Sequence, residues 1–318
     1  MIHERYSSTY VSLIGGLGNQ LFQLAFALTK SPEREPNLVS GLSHVRRSGD
    51  GQPEIFSFTV GELASHFEIK SDIWTERIHN TLVRLSVEKI IRPAAKILLS
   101  IGVVALSRLI SKRLHAERIK ICVSRGIDFL DPIQNTKNTL HIGYFQSSKY
   151  LGNREVLEKM KSIKAISKSV ALEELQLLSQ LENPLIVHVR LGDYKQETNI
   201  GMLDESYYKR ALMLAWNELK FEKIWVFSDE IELAKTFIPV EYHEFVRWIQ
   251  DVDNSPSLTF EAMRLGHAYV IANSTFSWWA AALSRNNSPD IYCPKPWYAG
   301  VNSPEEIIPD NWHTIPRA

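Results

Sequence analysis

Cysteine is nearly absent from this chain: Cys122 and Cys293 are the only two in 318 residues. Two thiols cannot frame a disulfide scaffold, and they lack the clustered spacing of a zinc site. A reducing cytosol is the simpler setting. Net charge is absent as well, with 36 Lys and Arg against 36 Asp and Glu. Nucleic-acid binders usually carry a basic footprint that displaces counterions, so the balance argues against nucleic acid as the main partner. A small or neutral substrate fits better. Long apolar runs are also missing. The most apolar stretch, residues 97–110, is shorter than the roughly 20 residues that span a bilayer, and Arg108 interrupts it. No membrane-spanning helix is expected. The first ten residues carry His, Glu and Arg where a secretory signal would be apolar, which points to a cytoplasmic chain.

What the chain does have is material for ordinary cores: 44% of its residues are hydrophobic, and its length suits two domains. Charge is unevenly placed, however. Residues 89–125 hold nine Lys or Arg and one acid, Glu117. Two readings fit this window. A run of charge is usually a solvated face, here a helical pair inside one domain, and that rule favours the first reading. A basic helical segment with an apolar face can also lie peripherally on an anionic membrane, at the cytosolic face of the inner membrane.

From residue 185 onward, apolar runs of strand length alternate with stretches of helical period. Strands are expected at 185–189, 224–227, 242–246, 269–272 and 291–293. Helices are expected at 204–219 with Asp204 as N-cap, at 231–237, at 256–266 with Ser255 as cap and Pro256 first, and at 277–284. Such alternation requires right-handed crossovers and gives a mostly parallel, doubly wound sheet. The N-terminal half is less regular. It begins with a strand at 10–14, a glycine turn and a helix at 20–29, and residues 75–120 read as a helical insertion. The fold class is α/β, with an N-terminal domain at 1–182 and a C-terminal domain at 183–318.

In an open parallel sheet, ligands bind beyond the carboxyl ends of the strands. Three polar clusters fall there: His188, Arg190 and Asp193; Ser228-Asp229-Glu230; and Asn273-Ser274-Thr275-Phe276-Ser277. Arg190 offers a planar fork for two phosphate oxygens and keeps its charge, which suits an anion clamp. An Arg near an Asp in a loop is as often a structural salt bridge. His188 alternates with Val187 and Val189, so a hydrogen-bonded core histidine and a ligand contact are equally open. Segment 273–277 brings three hydroxyls and backbone N–H groups to a helix start, as a diphosphate would need. The plainer alternative, that Ser274 or Thr275 caps this helix, leaves the other hydroxyls without a task.

Gly15-Gly16-Leu17-Gly18-Asn19 lies between a strand and a helix, where glycines let a ligand approach the backbone. Its spacing is not that of a dinucleotide fingerprint, and no Gly-Lys-Ser/Thr ending marks a P-loop. Asp251-Val252-Asp253 has the form of a metal-binding D-x-D but precedes a helix cap, so no metal site is expected.

Several segments, in order, resemble one family. Gly15-Gly16-Leu17-Gly18-Asn19-Gln20-Leu21-Phe22-Gln23 looks like its N-terminal motif, and His188-Val189-Arg190-Leu191-Gly192-Asp193-Tyr194 resembles its His-x-Arg-Arg-Gly-Asp-Tyr signature. Val226-Phe227-Ser228-Asp229-Glu230 is similar to a Phe-Ser-Asp-Asp segment, and residues 273–279 to Asn-Ser-Ser-Phe-Ser-Trp-Trp. Gly143-Tyr144-Phe145-Gln146 and Cys293-Pro294-Lys295-Pro296-Trp297 are lesser echoes. The set, spanning residues 11–297, resembles the α-1,2-fucosyltransferases of glycosyltransferase family eleven, bacterial members in particular.

The resemblance implies a GT-B-like architecture of two Rossmann-like domains, with GDP-fucose held mainly by the C-terminal domain. The implied acceptor is an oligosaccharide with a terminal galactose or related sugar, and the basic window at 89–125 adds the reading that it is lipid-linked, at the cytosolic membrane face. No metal and no cofactor are implied. Donor contacts carry over to Gly15, Gly16, Gly18, Asn19 and Gln20, and to His188, Arg190, Asp229, Asn273, Ser274, Thr275, Phe276 and Ser277. Arg190 would neutralise the leaving phosphate. Asp193 is the first choice for the base that takes the acceptor's proton and Glu197 the second, with Asp193 equally an orienter of Arg190. Two departures stand out: Leu191 replaces a second Arg, and Glu230 replaces an Asp. Another GDP-sugar, another fucosyl linkage and a non-catalytic glycan-binding module are the competing readings.

Overall fold

A computed structural model describes residues 8–31, 34–42, 44–70, 73–87, 93–113, 119–124, 138–195, 200–219, 221–300, 304 and 306–317. Contacts divide the chain into two compact units, residues 1–163 and 164–318.

The first unit holds β1 (Thr9–Ser12), α1 (Leu17–Lys30), β2 (Asn37–Ser40), β3 (Ser65–Glu68), α2 (Ile73–Val87), α3 (Pro93–Arg113), β4 (Lys120–Val123), β5 (Thr139–Ile142), α4 (Lys149–Gly152) and α5 (Arg154–Ser162). Its strands are parallel, in the order β3-β2-β1-β5-β4. All four residues of β1 are buried, as a strand covered on both faces requires. Helix α1 is apolar nearly all round, and Leu21, Phe22, Leu24, Ala25 and Phe26 are fully buried. Such a helix needs partners on several sides, and it packs on β1, β2, α4 and α5. The helical insertion expected at 75–120 is the α2–α3 pair. It presses Leu82, Leu106 and Ile110 into the sheet's apolar cluster beside Ile121, Leu140 and Ile142.

The second unit contains α6 (Val170–Glu182), β6 (Leu185–Val189), α7 (Glu205–Glu218), β7 (Ile224–Ser228), α8 (Ile231–Ala234), β8 (Val246–Ile249), α9 (Pro256–Met263), β9 (Ala268–Val270), α10 (Thr275–Ala282), β10 (Asp290–Lys295) and β11 (His313–Pro316). Its strands are also parallel, and their order is β11-β10-β9-β6-β7-β8. Counted from β6, this is the 3-2-1-4-5-6 arrangement of a Rossmann sheet, whose topological switch point lies between β6 and β9. The two parallel sheets match the expected GT-B-like α/β class.

Sequence and structure differ at several edges. Helix α6 belongs to the second unit rather than ending the first, because it packs on α9 and Glu182 accepts hydrogen bonds from Trp225 Nε1 (2.6 Å) and Arg247 (2.6 Å). The strand read at 242–246 is shifted. Residues 240–245 form a 3-10 turn whose Tyr242 and Phe245 pack on Trp216, and the strand follows at Val246–Ile249. Helix α9 ends at Met263, ahead of Gly266, and α10 starts at Thr275 rather than Ser277. Strand β11 was not expected. The Asp204 cap of α7 and the Ser255 cap of α9, with Pro256 next, are as expected.

A buried ionic cluster helps close the second unit. Glu261 accepts from Arg264 (3.2 Å), Arg285 (2.7 Å) and the Ala165 backbone N–H (3.3 Å). A buried carboxylate with three donors is tolerated where an unpaired one would not be.

Two buried histidines contribute to the first unit's response to acid. His79 Nε2 lies 2.9 Å from Ser12 Oγ. Burial lowers its pKa to about 4. Burial, then the charges of Lys30 and Lys120, lowers His141 to about 3. An unfolded histidine titrates near 6.5, so below that pH the unfolded chain binds more protons than the folded one. Stability is therefore complete above about pH 6.5 and falls as pH drops toward those values. Urea denaturation should show a loss of up to about 1.4 kcal/mol per pH unit for each histidine. The His79→Gln/His141→Gln variant should flatten that slope, and an unchanged slope would contradict the assignment.

Candidate active site

In the second unit, strand register builds the site. Parallel pairing aligns Val189 with Ser228 and Val187 with Val270. Continuing those registers by one and three residues puts Arg190 between Asp229 and Asn273, in one row beyond the carboxyl ends of β6, β7 and β9. The three clusters read from the sequence are thus brought together. Arg190 Nη1 lies 3.1 Å from Asp229 Oδ2. Asp229 Oδ1 accepts the Leu191 backbone N–H at 3.0 Å, so one carboxylate holds both the guanidinium and the loop that carries it. A Cβ at Gly192 would lie 2.5 Å from Asp229 Oδ2, which explains glycine there: the pinned carboxylate rests on bare backbone. The Arg190 guanidinium also sits 5.6 Å from the Tyr194 ring centroid, and Tyr194 donates to the Asn273 carbonyl at 3.2 Å. Lys195 and Glu230 add a second tie between these loops at 2.5 Å.

Helix α7 braces the same row from one face. Tyr207 donates to the Ile271 carbonyl (2.6 Å) and Tyr208 to the His188 carbonyl (3.2 Å), one tyrosine to each side of the switch point. Strand alternation sends Val187 and Val189 into the cluster beneath α7. His188 therefore points to the other face, where its ring lies 6.3 Å from Phe276. His188 is buried and its Nδ1 has no hydrogen-bond partner. Burial first, then the charge of Arg190, lowers its pKa to about 3, against the opposing pull of Asp229. It is a neutral ring at ordinary pH, able to donate or accept one hydrogen bond without adding charge.

The 273–277 segment divides by role. Asn273 is buried and donates to the carbonyls of Ile200 (3.1 Å) and Gly201 (2.9 Å), so it shapes the loop. Ser277 is buried and donates within its own turn, to Ser274 O at 3.2 Å. Ser274 is the N-cap of α10, yet its hydroxyl makes no capping bond. Ser274, Thr275 and Phe276 thus lie at the helix start, where backbone N–H groups and the helix dipole favour an anion. Of the base candidates, Asp193 lies in a 3-10 turn just after Arg190 and Leu191, and Glu197 is outside the described residues. Leu191 is fully buried in the cluster under α7, so this position adds apolar packing where the family pattern has a cation. Asp251 accepts the Asn254 N–H at 2.8 Å in a turn, as its place before a cap suggests.

In the first unit the glycine turn closes its own sheet's switch point, between β1 and β5. Gly15 has φ +75° and its backbone bonds His44 and Arg46. Gln20 is fully buried. It donates to the carbonyls of Gly15 (2.9 Å) and Arg46 (3.1 Å) and accepts from the Ile55 N–H (2.9 Å), so it builds the turn rather than facing a ligand. Asn19 accepts from Gln146 at 3.0 Å, and Gln23 donates to the Gly143 carbonyl at 3.2 Å, tying the two switch-point loops together. One cation there was missed by sequence reasoning: Arg46 is exposed, and its Cδ would lie 3.3 Å from a Cβ at Gly16. It stands far along the chain in no motif, and folding alone brings it there.

The model of Glycosyl transferase family 11 matches residues 8–315. The chain belongs to this family. It is 28% identical to an Alpha-1,2-colitosyltransferase of Escherichia coli over 96% of this chain and 98% of that protein. It is 26% identical to the O-antigen biosynthesis glycosyltransferase WbnK of Escherichia coli over 43% of this chain and 46% of that protein. Among solved structures, it is similar to NodZ alpha-1,6-fucosyltransferase soaked with GDP-fucose, with 14% identity, TM-score 0.43, and coverage of 87% and 93% of the two chains. It is likewise similar to an E. coli ADP-heptose lps heptosyltransferase II, with 10% identity, TM-score 0.46, and coverage of 97% and 90%. As a family 11 glycosyltransferase it joins a sugar to an acceptor.

The role of Asp229 separates positioning from charge counting. Removing a carboxylate beside an anion site should strengthen anion binding if only charge matters. If Asp229 aims Arg190, Asp229→Ala should weaken binding of inorganic diphosphate by about tenfold, or about 1.4 kcal/mol. Titration calorimetry reads this directly, and unchanged or tighter binding would contradict the positioning role.

Proposed function

We propose that this glycosyltransferase moves L-fucose from GDP-β-L-fucose to the 2-hydroxyl of an acceptor galactoside, inverting the anomeric centre, in bacterial surface-polysaccharide synthesis. The observation that carries the reading is the row at the switch point: Arg190, fixed by Asp229, beside the α10 start at Ser274 and Thr275. A row of one cation and helix-start N–H groups suits a diphosphate, which fits a nucleoside-diphosphate sugar. The O-antigen task of WbnK points the same way, as a property of that protein.

In this reading the acceptor's 2-oxygen attacks the anomeric carbon from the side opposite GDP. The bond from that carbon to the β-phosphate oxygen breaks with its electron pair, and GDP departs carrying the charge. Arg190 and the Ser274–Thr275 turn stabilise that charge where it develops, the work a divalent cation performs in other transferases. The acceptor's proton passes to a carboxylate, with Asp193 first and Glu197 second. Neutral His188 contributes a hydrogen bond near the donor without weakening the hold of Arg190 through charge.

A second donor is favoured by one observation, the full-length similarity to a colitosyltransferase. Colitose is fucose without its 3-hydroxyl, so one pocket could take either. GDP release should be followed with GDP-fucose, GDP-colitose, GDP-mannose and UDP-galactose across a panel of galactosides, with EDTA present. Turnover of GDP-fucose undiminished by EDTA is expected. Arg190→Ala should lower kcat/KM by about 10²–10³ with an unchanged melting temperature, and Arg190→Lys should fail nearly as badly, since a point charge does not replace a fork. Preference for GDP-colitose would select the second reading. Release only from UDP-sugars, or only with added metal, would contradict both.

A further inference from the structure

The first unit carries a surface that holds none of the candidate site residues. Helices α2 and α3 bury Leu82, Leu106 and Ile110 in the sheet's cluster, so their outer faces point away from it. Those faces are not polar. Ile73 is 67% exposed, Trp74 71%, Ile101 62% and Val104 42%. The helices meet where Gly102 faces Ile78, since a Cβ there would lie 3.3 Å from Ile78 Cγ2. Ile101, Val104 and Arg108 recur on one face of α3, and Ile73, Trp74 and Arg77 on one face of α2, each turned away from the buried Leu82, Leu106 and Ile110, so each helix presents an apolar and basic stripe. Arg77 stacks over Trp74 at 5.6 Å, and Arg84, Arg108 and Lys112 are exposed on the same two helices. Residues 70–113 contain nine bases and three acids in a chain of zero net charge. Among the described residues no helix is long and apolar enough to cross a membrane.

We propose that the outer face of the α2–α3 pair docks on an anionic lipid surface. Exposed Trp, Ile and Val seat in the boundary between headgroups and acyl chains, while flanking Arg and Lys meet lipid phosphates. Arg77 and Trp74 supply both halves in one contact, since an indole has an apolar body and a polar edge and an Arg carries its charge on an apolar stem. The basic window expected at 89–125 thus moves toward the N-terminus: its described part contributes Ile101, Val104, Arg108 and Lys112, and α2 supplies Ile73, Trp74 and Arg77. The surface belongs to the first unit and the Arg190 row to the second, and its test does not depend on the sugar donor.

Flotation of the full chain decides it, using vesicles of phosphatidylcholine alone or mixed with phosphatidylglycerol. Wild type should float with the mixed vesicles at low salt, stay down with phosphatidylcholine, and release as salt screens the charges. Arg77→Gln/Arg108→Gln should weaken mixed-vesicle binding about thirtyfold, and Trp74→Gln/Ile101→Gln at least about tenfold. All four positions are exposed, so both variants should keep the wild-type melting temperature and its GDP release on a soluble acceptor. Wild type remaining in solution with mixed vesicles would overturn the proposal. So would equal flotation of wild type and both variants, or a concentration-dependent dimer lost in Trp74→Gln/Ile101→Gln without vesicle binding. Flotation without sugar transfer would leave the surface standing and sink the function proposed above.

Discussion

The register of β6 between β7 and β9 is the constraint on which the site depends. With Val189 opposite Ser228 and Val187 opposite Val270, Arg190, Asp229 and Asn273 leave the sheet in one row. A slip of one residue would reverse every side chain of β6, taking Val187 and Val189 out of their cluster and putting His188 into it. Hydrophobic burial therefore sets the position of a charged group. The pairing of Arg190 with Asp229 adds little stability itself, because the side chains are 20% and 26% exposed and solvent screens them. Its effect is geometric: the fork is held over the switch point before any ligand arrives, so less freedom is lost on binding.

Support for that row comes from groups that touch no ligand in this account. Tyr207 and Tyr208 reach from α7 to the carbonyls of Ile271 and His188, and Tyr194 reaches the Asn273 carbonyl. Each satisfies a backbone acceptor that strand pairing leaves over at a switch point, where β6 and β9 end their shared ladder. The first unit follows the same logic with amides: Gln20 ties the loop after β1 to the one after β2, and Gln23 and Gln146 connect the β1 side to the loop after β5. Polar residues of the sequence motifs thus fall into two sets, those that hold loops and those presented at a helix start or strand end.

Much of this was legible in the sequence where elements are long or capped. Strand–helix alternation after residue 185, the caps Asp204 and Ser255, and the helical pair α2–α3 follow from period and cap chemistry. The carboxyl-end clusters around Arg190, Asp229 and Ser274 follow from the strand positions. Four-residue strands such as Asn37–Ser40, Ser65–Glu68 and His313–Pro316 were not, because so short a run carries no period and tertiary pairing alone makes it a strand. The 242–246 error has a like cause: aromatic residues with high strand propensity were recruited by Trp216 into a 3-10 turn. Gln20, Asn273 and Ser277 read as ligand contacts because a motif records which residues matter without saying whether they meet a ligand or a backbone carbonyl. Arg46 carried no signal at all.

The central claim is that the switch-point row of Arg190, Ser274 and Thr275 grips a diphosphate, and that the rest of the second unit keeps it in place. Comparing the affinities of GDP and guanosine for the full chain by calorimetry tests this most directly, because the two ligands share a base and ribose and differ in the diphosphate. The account predicts that GDP binds at least about a hundredfold more tightly, about 2.7 kcal/mol, and that Arg190→Lys removes most of the difference. Equal affinities, or a GDP preference untouched by Arg190→Lys, would contradict it.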